Sequence, residues 1–121
     1  MGWKNGAMPG AKDTNGMNLA TVWEAVAAEV PDTPALIHQG TRRSWGELEE
    51  RAARLAGHLD ARGIGHDAKV ALYLRNRPEY LEATFAAFKV RAVPVNVNYR
   101  YLADELTYLL DNADAEAVVF H

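Results

Sequence analysis

The apolar positions of this chain change period along its length, and the changes mark out its elements. After Asn18, a good helix cap, Leu19, Val22, Trp23, Val26 and Val30 recur at helical spacing, and Pro31 closes the run. Two short segments with strand character follow, 35–39 and 42–45, turning at Gly40. Ser44 then opens the clearest helix. It has capping-box spacing to Glu47, an inner stripe of Leu48, Ala52, Leu55 and Leu59, and Gly63 as a left-handed end. On its outer side Glu47–Arg51 and Glu50–Arg54 are spaced to pair, for roughly 0.2–0.5 kcal/mol each.

From Lys69 the period changes again. Lys69-Val70-Ala71-Leu72-Tyr73-Leu74 is nearly all apolar, as a strand reads when both faces are covered in a parallel sheet. A helix starting near Asn76 and Pro78 carries a stripe of Leu81, Phe85, Phe88 and Ala92. A strand over 94–97 follows, then a helix over about 103–113. That helix turns Leu102, Leu106, Leu109, Leu110 and Ala113 inward, with Asp104 and Glu105 in its positive first turn. A last strand covers 116–120.

The repeated strand–helix–strand order with short connections predicts an α/β fold. It is a mostly parallel sheet with helices on both faces, joined by right-handed crossovers and preceded by a short hairpin. Ending on a strand of buried type leaves a sheet edge open, so 18–121 reads as an incomplete N-terminal subdomain of a larger α/β domain. Self-association, as a homo-oligomer through that edge, is expected. Residues 1–17, rich in glycine and without periodicity, read as a disordered leader or an appended segment. Their Met-Gly start is a poor myristoylation signal, because position six is Gly6.

Composition narrows the function classes. With 121 residues the chain is one domain at most, and 49% apolar with 24% charged residues is ordinary for a globular protein. A net charge of −3 excludes a strongly basic nucleic-acid surface. The lack of cysteine removes disulfides, thiolate metal sites and cysteine nucleophiles, and fits a reducing, cytoplasmic setting. No apolar run approaches the ~20 residues of a transmembrane helix.

Few residues suggest chemistry. Gly63-Ile64-Gly65 follows a helix and precedes a strand, the reverse of a dinucleotide-binding turn, so a helix-ending turn accounts for it. Arg75-Asn76-Arg77 sits at the carboxyl end of a strand, where open α/β sheets bind ligands; an anion contact competes there with a solvated turn and helix cap, and the turn is favoured. A receiver-type phosphoacceptor would need a carboxylate where Arg75 stands. Asn96 and Asn98 would either line a crevice or satisfy the following turn, and the turn is again favoured. His38, His58, His66 and His121 have no metal-ligand spacing. Glu29, Glu47, Glu49, Glu50, Glu79 and Glu82 read mostly as helix-face charges, and Trp23, Phe85 and Phe88 as core.

An ordered set of segments goes further. Pro34-Ala35-Leu36-Ile37 with Ser44-Trp45-Gly46-Glu47-Leu48, then Ala53-Arg54-Leu55-Ala56 with Gly63-Ile64, then 67–74 with Asn76-Arg77-Pro78-Glu79, and finally 93–100 with Glu105-Leu106 and 108–113 resemble the N-terminal part of adenylate-forming (AMP-binding) acyl-CoA synthetases. The wording of the last segments is similar to fatty-acid and sterol-side-chain CoA ligases of actinobacterial type. The family usually has glycine where Arg91 stands, so the helix must end differently there or strain a left-handed residue. The resemblance implies a parent enzyme that uses ATP, magnesium and CoA to activate a fatty acid or related carboxylic acid through an acyl-adenylate. In the family the phosphate loop, acyl pocket, hinge and catalytic lysine lie beyond the position of His121. No catalytic, cofactor-binding or metal-binding residue is therefore assigned to this chain. It is expected to bind no cofactor itself, to be inactive alone, and to have the remainder of the parent chain as its partner. A stand-alone flavodoxin-like binding module, and an adenylating enzyme for another acid, are the alternatives.

Overall fold

The computed structural model describes residues 18–120; the expected leader and His121 lie outside them. The elements run α1 (Leu19–Glu29), β1 (Pro34–His38), β2 (Thr41–Ser44), α2 (Trp45–Ala61), β3 (Lys69–Tyr73), α3 (Pro78–Lys89), β4 (Val93–Asn96), α4 (Ala103–Ala113) and β5 (Ala115–Phe120). β1 and β2 form an antiparallel hairpin apart from the main sheet, which is three parallel strands in the order β4-β3-β5. Because β4 and β5 flank β3 on opposite sides, the crossovers through α3 and α4 run in opposite directions. With right-handed connections the two helices therefore take opposite faces of the sheet. This is the α/β arrangement that the hydrophobic pattern predicts.

β3 is the centre. Val70, Ala71 and Leu72 are all but inaccessible, as a strand with neighbours on both sides and helices on both faces requires. Val70, Leu72 and Leu74 pack against Ala83, Ala86 and Ala87 of α3 and Ala56 and Leu59 of α2. A second cluster joins Leu48 and Ala52 of α2 to Phe85, with Trp23, Trp45 and Leu81 around it. The Trp23 ring lies against both Phe85 and Phe88; Phe85 is core as expected, Trp23 packs on it half-buried, and Phe88 is half-buried outside the two clusters.

α2 follows its sequence closely. Ser44 Oγ accepts from Glu47 N–H at 3.1 Å, and Glu47 Oε1 accepts from Ser44 N–H at 2.9 Å, completing the capping box. At its other end Gly63 N–H donates to Asp60 C=O and Ile64 N–H to Leu59 C=O, the Schellman pattern, with Gly63 at φ +80°. Gly46 has a different reason to be glycine: a Cβ there would meet the Pro31 carbonyl oxygen at 3.2 Å.

Three expectations need correction. The buried face of α1 is Ala20 and Ala27 beside the half-buried Trp23, whereas Leu19, Val22 and Val30 are exposed. The pattern has the right period and the wrong phase, because the flat Trp23 ring must lie on α3 and only small residues fit beside it. The Glu47–Arg51 pair does not form, since Glu47 caps its own helix and Arg51 is drawn to Glu82. Leu102, expected inward, is 75% exposed, and no residue of α4 is fully buried. Its backbone N–H is instead held by Glu105 Oε1 at 3.0 Å.

The end of α3 repeats the motif of α2 without glycine. Arg91 N–H donates to Phe88 C=O and Ala92 N–H to Ala87 C=O, with Arg91 at φ +65°. Of the two outcomes foreseen for Arg91, the structure takes the left-handed one. Its carbonyl then accepts from Asp67 N–H at 2.9 Å, where Asp67 is itself left-handed at φ 64°, and this bond joins the turns before β3 and β4. A left-handed non-glycine residue costs about 1–2 kcal/mol. Arg91→Gly is therefore expected to stabilise the chain by about 0.5–1 kcal/mol, after the loss of the guanidinium bond to Phe88 C=O and the added unfolded-state entropy. A thermal melt should show a Tm several degrees higher; a lower Tm would mean that the arginine contacts outweigh the backbone cost.

Candidate functional site

The carboxyl ends of parallel strands are where an open α/β sheet can receive a ligand, because the strand-to-helix turns diverge there. In this chain those ends belong to β3 and β4. The segment after β3 supplies Asn76, and the segment after β4 supplies Asn98, Tyr99 and Tyr101. Together with Asn96 they line an open crevice of about 460 Å³. The Arg75-Asn76-Arg77 and Asn96/Asn98 candidates, 20 or so residues apart in sequence, are thus brought to one place. Tyr73 Oη donates to Tyr101 C=O at 2.7 Å and holds the β4–α4 segment down on β3.

Each candidate has a definite state. Asn98 Oδ1 accepts from Arg100 N–H at 2.9 Å, so it serves the turn, as the simpler reading had it. Arg77 is the N-cap of α3 without a side-chain cap bond, and its guanidinium stands 3.8 Å from Glu79. Arg75 lies over the Tyr99 ring at 5.1 Å, and Arg100 lies near the same ring at 5.5 Å. Neither Arg75 nor Arg100 has a carboxylate partner among the described residues. The rim of the crevice is therefore electropositive. Gly63 and Gly65 sit before β3, at the opposite end of the sheet, and take no part.

Sequence reasoning missed two polar clusters on α3. Glu82 is only 5% exposed, and its carboxylate accepts from Arg51 Nε at 2.6 Å with Arg43 Nε at 3.6 Å. The bond to Glu82 raises the pKa of Arg51. One helical repeat on, Lys89 Nζ donates to Glu24 at 2.7 Å and Glu49 at 2.6 Å, joining α1, α2 and α3. Burial pulls the Lys89 pKa down, but the bonds to Glu24 and Glu49 outweigh it and hold the pKa above 10.5. Glu82 and Glu49 are thus structural ion-pair members rather than free helix-face charges. The signal was present: 81–90 carries only these two charges in an otherwise uncharged run, and a helix that is apolar nearly all round is a buried one. Among the described residues no group of three metal-ligating side chains comes together, and no helix is long and apolar enough to cross a membrane.

The described residues thus form a three-stranded parallel sheet with an open crevice at the carboxyl ends of β3 and β4, and the comparisons place this chain in a family. The model of the AMP-binding enzyme family matches residues 23–121, and the chain belongs to that family. It is 43% identical over 103 residues to a 3-oxocholest-4-en-26-oate--CoA ligase of Rhodococcus rhodochrous, covering 85% of this chain and 19% of the relative. Identity and coverage are the same for a medium/long-chain-fatty-acid--CoA/3-oxocholest-4-en-26-oate--CoA ligase of Mycobacterium tuberculosis. Among solved structures, the N-terminal domain of FACL13 from M. tuberculosis superposes with a TM-score of 0.79 at 27% identity, over 85% of this chain and 26% of that one. The chain spans about a fifth of the length of these curated relatives.

Two outcomes test the ion-pair clusters. Glu82→Ala leaves two guanidiniums without their carboxylate; because Arg51 is partly solvated, a loss of about 2 kcal/mol in denaturant unfolding is expected, below the cost of breaking a fully buried pair. Lys89 is protonated more tightly in the folded chain than in the unfolded one. Its contribution is full below pH 10.5 and fades as pH rises through the folded value. Lys89→Met should therefore flatten the alkaline loss of stability, leaving a smaller slope of the same sign from Tyr80, whose pKa burial raises. An unchanged slope would show that the clamp does not form.

Proposed function

We propose that this chain is the N-terminal part of the large domain of an ATP-dependent CoA ligase acting on a fatty acid or a related carboxylic acid. The observation that carries this reading is the family match across 23–121, together with relatives named as CoA ligases over the same stretch. In such a reaction the carboxylate attacks the α-phosphorus of ATP and releases pyrophosphate; the CoA thiol then takes the acyl carbon and releases AMP. Bound magnesium would neutralise phosphate charge. Among the described residues no group of three metal-ligating side chains comes together, and we assign the chain no catalytic residue. Its own part is to present the crevice between β3 and β4, with Arg75 and Arg100 free to meet an anionic phosphate group. We place the protein in the cytoplasm, where ATP and CoA are available.

The 121-residue chain, given ATP, magnesium and fatty acids of several lengths, should release no pyrophosphate; robust turnover would overturn its assignment as a non-catalytic part. A chimera in which residues 18–121 replace the matching segment of the R. rhodochrous ligase should form acyl-CoA. A chimera that folds and stays inactive would reject the functional reading. Within the active chimera, Arg75→Gln with Arg100→Gln should raise KM for ATP or CoA several-fold and leave kcat nearly unchanged. If KM stays constant for both, the arginines have no anion role.

A further inference from the structure

The turn that carries Tyr99 and Arg100 is closed by its own atoms. Asn98 Oδ1 accepts from Arg100 N–H at 2.9 Å, and Tyr101 N–H donates to Asn98 C=O at 3.0 Å. Those bonds fix the shape of the turn but not its tilt over the sheet. Among the described residues two hydrogen bonds to β3 set the tilt, and neighbouring residues of the strand make them. At the start of the turn Val97, 1% exposed, donates its N–H to Leu72 C=O at 3.1 Å. At its end Tyr73 Oη donates to Tyr101 C=O at 2.7 Å. Leu72 packs toward α2 and α3, so by strand alternation Tyr73 stands on the other face, where its hydroxyl meets Tyr101.

Arg75 leaves the end of the same strand. The spacing of the two guanidiniums therefore runs through β3, which carries Arg75 directly and Arg100 through the Tyr73 hydroxyl. Both guanidiniums arrive at the Tyr99 ring, at 5.1 and 5.5 Å from its centre. Without the hydroxyl the turn keeps Val97 as its one anchor on β3 and can swing about it, taking Arg100 away from Arg75.

We infer that Tyr73 is a positioning residue for anion binding: its hydroxyl holds Arg100 beside Arg75 so that both meet one phosphate group of ATP or CoA. The role rests on the anion contact proposed for these two arginines. Tyr73 acts through Arg100 and has no part in the chemistry. Holding the two cations in place before the anion arrives spares the cost of ordering them on binding.

The test uses a full-length ligase that carries residues 18–121, as in the R. rhodochrous chimera, with ATP and CoA each titrated alone by calorimetry and each varied in the acyl-CoA assay. Arg100→Gln identifies which of the two meets the crevice, by weakening its binding. Tyr73→Phe removes one oxygen from a half-buried ring and leaves the packing in place. It should weaken binding of that same substrate about fivefold, in Kd and in KM, and leave kcat nearly unchanged. On the Arg100→Gln background the further effect of Tyr73→Phe should be under about twofold, because the residue it positions is gone. A loss that Arg100→Gln does not share, or an equal further loss on its background, would show Tyr73 acting otherwise than through Arg100 and would overturn the inference. If Arg100→Gln weakens binding and Tyr73→Phe does not, the anion contact stands and the positioning role is rejected. If neither variant weakens binding of ATP or CoA, the anion contact fails and the positioning role falls with it.

Discussion

The structure depends on packing α3 with two of its three charges, Glu82 and Lys89, turned toward other elements. α3 touches the sheet with Ala83, Ala86 and Ala87, and touches α1 and α2 with Phe85. Glu79 stands on the solvated side of this helix, with its side chain 45% exposed, but Glu82 and Lys89 do not. Each charge is instead met by partners from other elements: Arg43 of the hairpin and Arg51 of α2 for Glu82, and Glu24 of α1 and Glu49 of α2 for Lys89. A buried ion pair adds little net stability over an apolar pair, but an unpartnered buried charge is expensive. The consequence is positional. The hairpin, α1 and α2 can dock on α3 only where their charges meet, and three elements without any place in the main sheet are fixed in register against it.

That docking leaves the backbone to absorb what is left. α3 must stop at Lys89 so that β4 can start beside β3, and Arg91 makes the turn in a left-handed conformation. Its carbonyl then receives the Asp67 amide, which aligns the starts of the two strands. With the amino ends aligned and the strands short, their carboxyl ends come out level too. The crevice between Asn76 and Asn96 is the product of that alignment. The geometry of the crevice is therefore set at the opposite end of the sheet.

Local chemistry was legible in the sequence, and tertiary partnership was not. The capping box at Ser44 and the left-handed turn at Gly63 depend on neighbours a few residues away, so their residue types announce them, and the unbroken apolar run of β3 announces a doubly covered strand without naming what covers it. The phase of α1 depends on which ring lies on α3, and the partner of Arg51 lies 31 residues on. No period contains that information. The same holds for the crevice: Arg75 and Asn98 looked like ordinary turn residues one at a time, and Asn98 is one. Only the fold shows that the two turns face each other across a shared tyrosine.

That tyrosine marks where charge lacks a carboxylate partner among the described residues. Near α3 each guanidinium and ammonium that points inward meets a carboxylate. At the crevice, Arg75 and Arg100 converge on the uncharged Tyr99 ring, whose face attracts cations by roughly 0.5–1 kcal/mol at an exposed site. Two like charges held near one ring repel each other, so the arrangement gains little for folding. A single carboxylate nearby would have stabilised it, and the following helix places Asp104 and Glu105 only a few residues away, yet Glu105 is spent on the Leu102 amide. The fold thus holds two cations over a crevice without neutralising them. On the anion-contact reading proposed for this crevice, an anion would gain the attraction of both guanidiniums and relieve their repulsion in the same step.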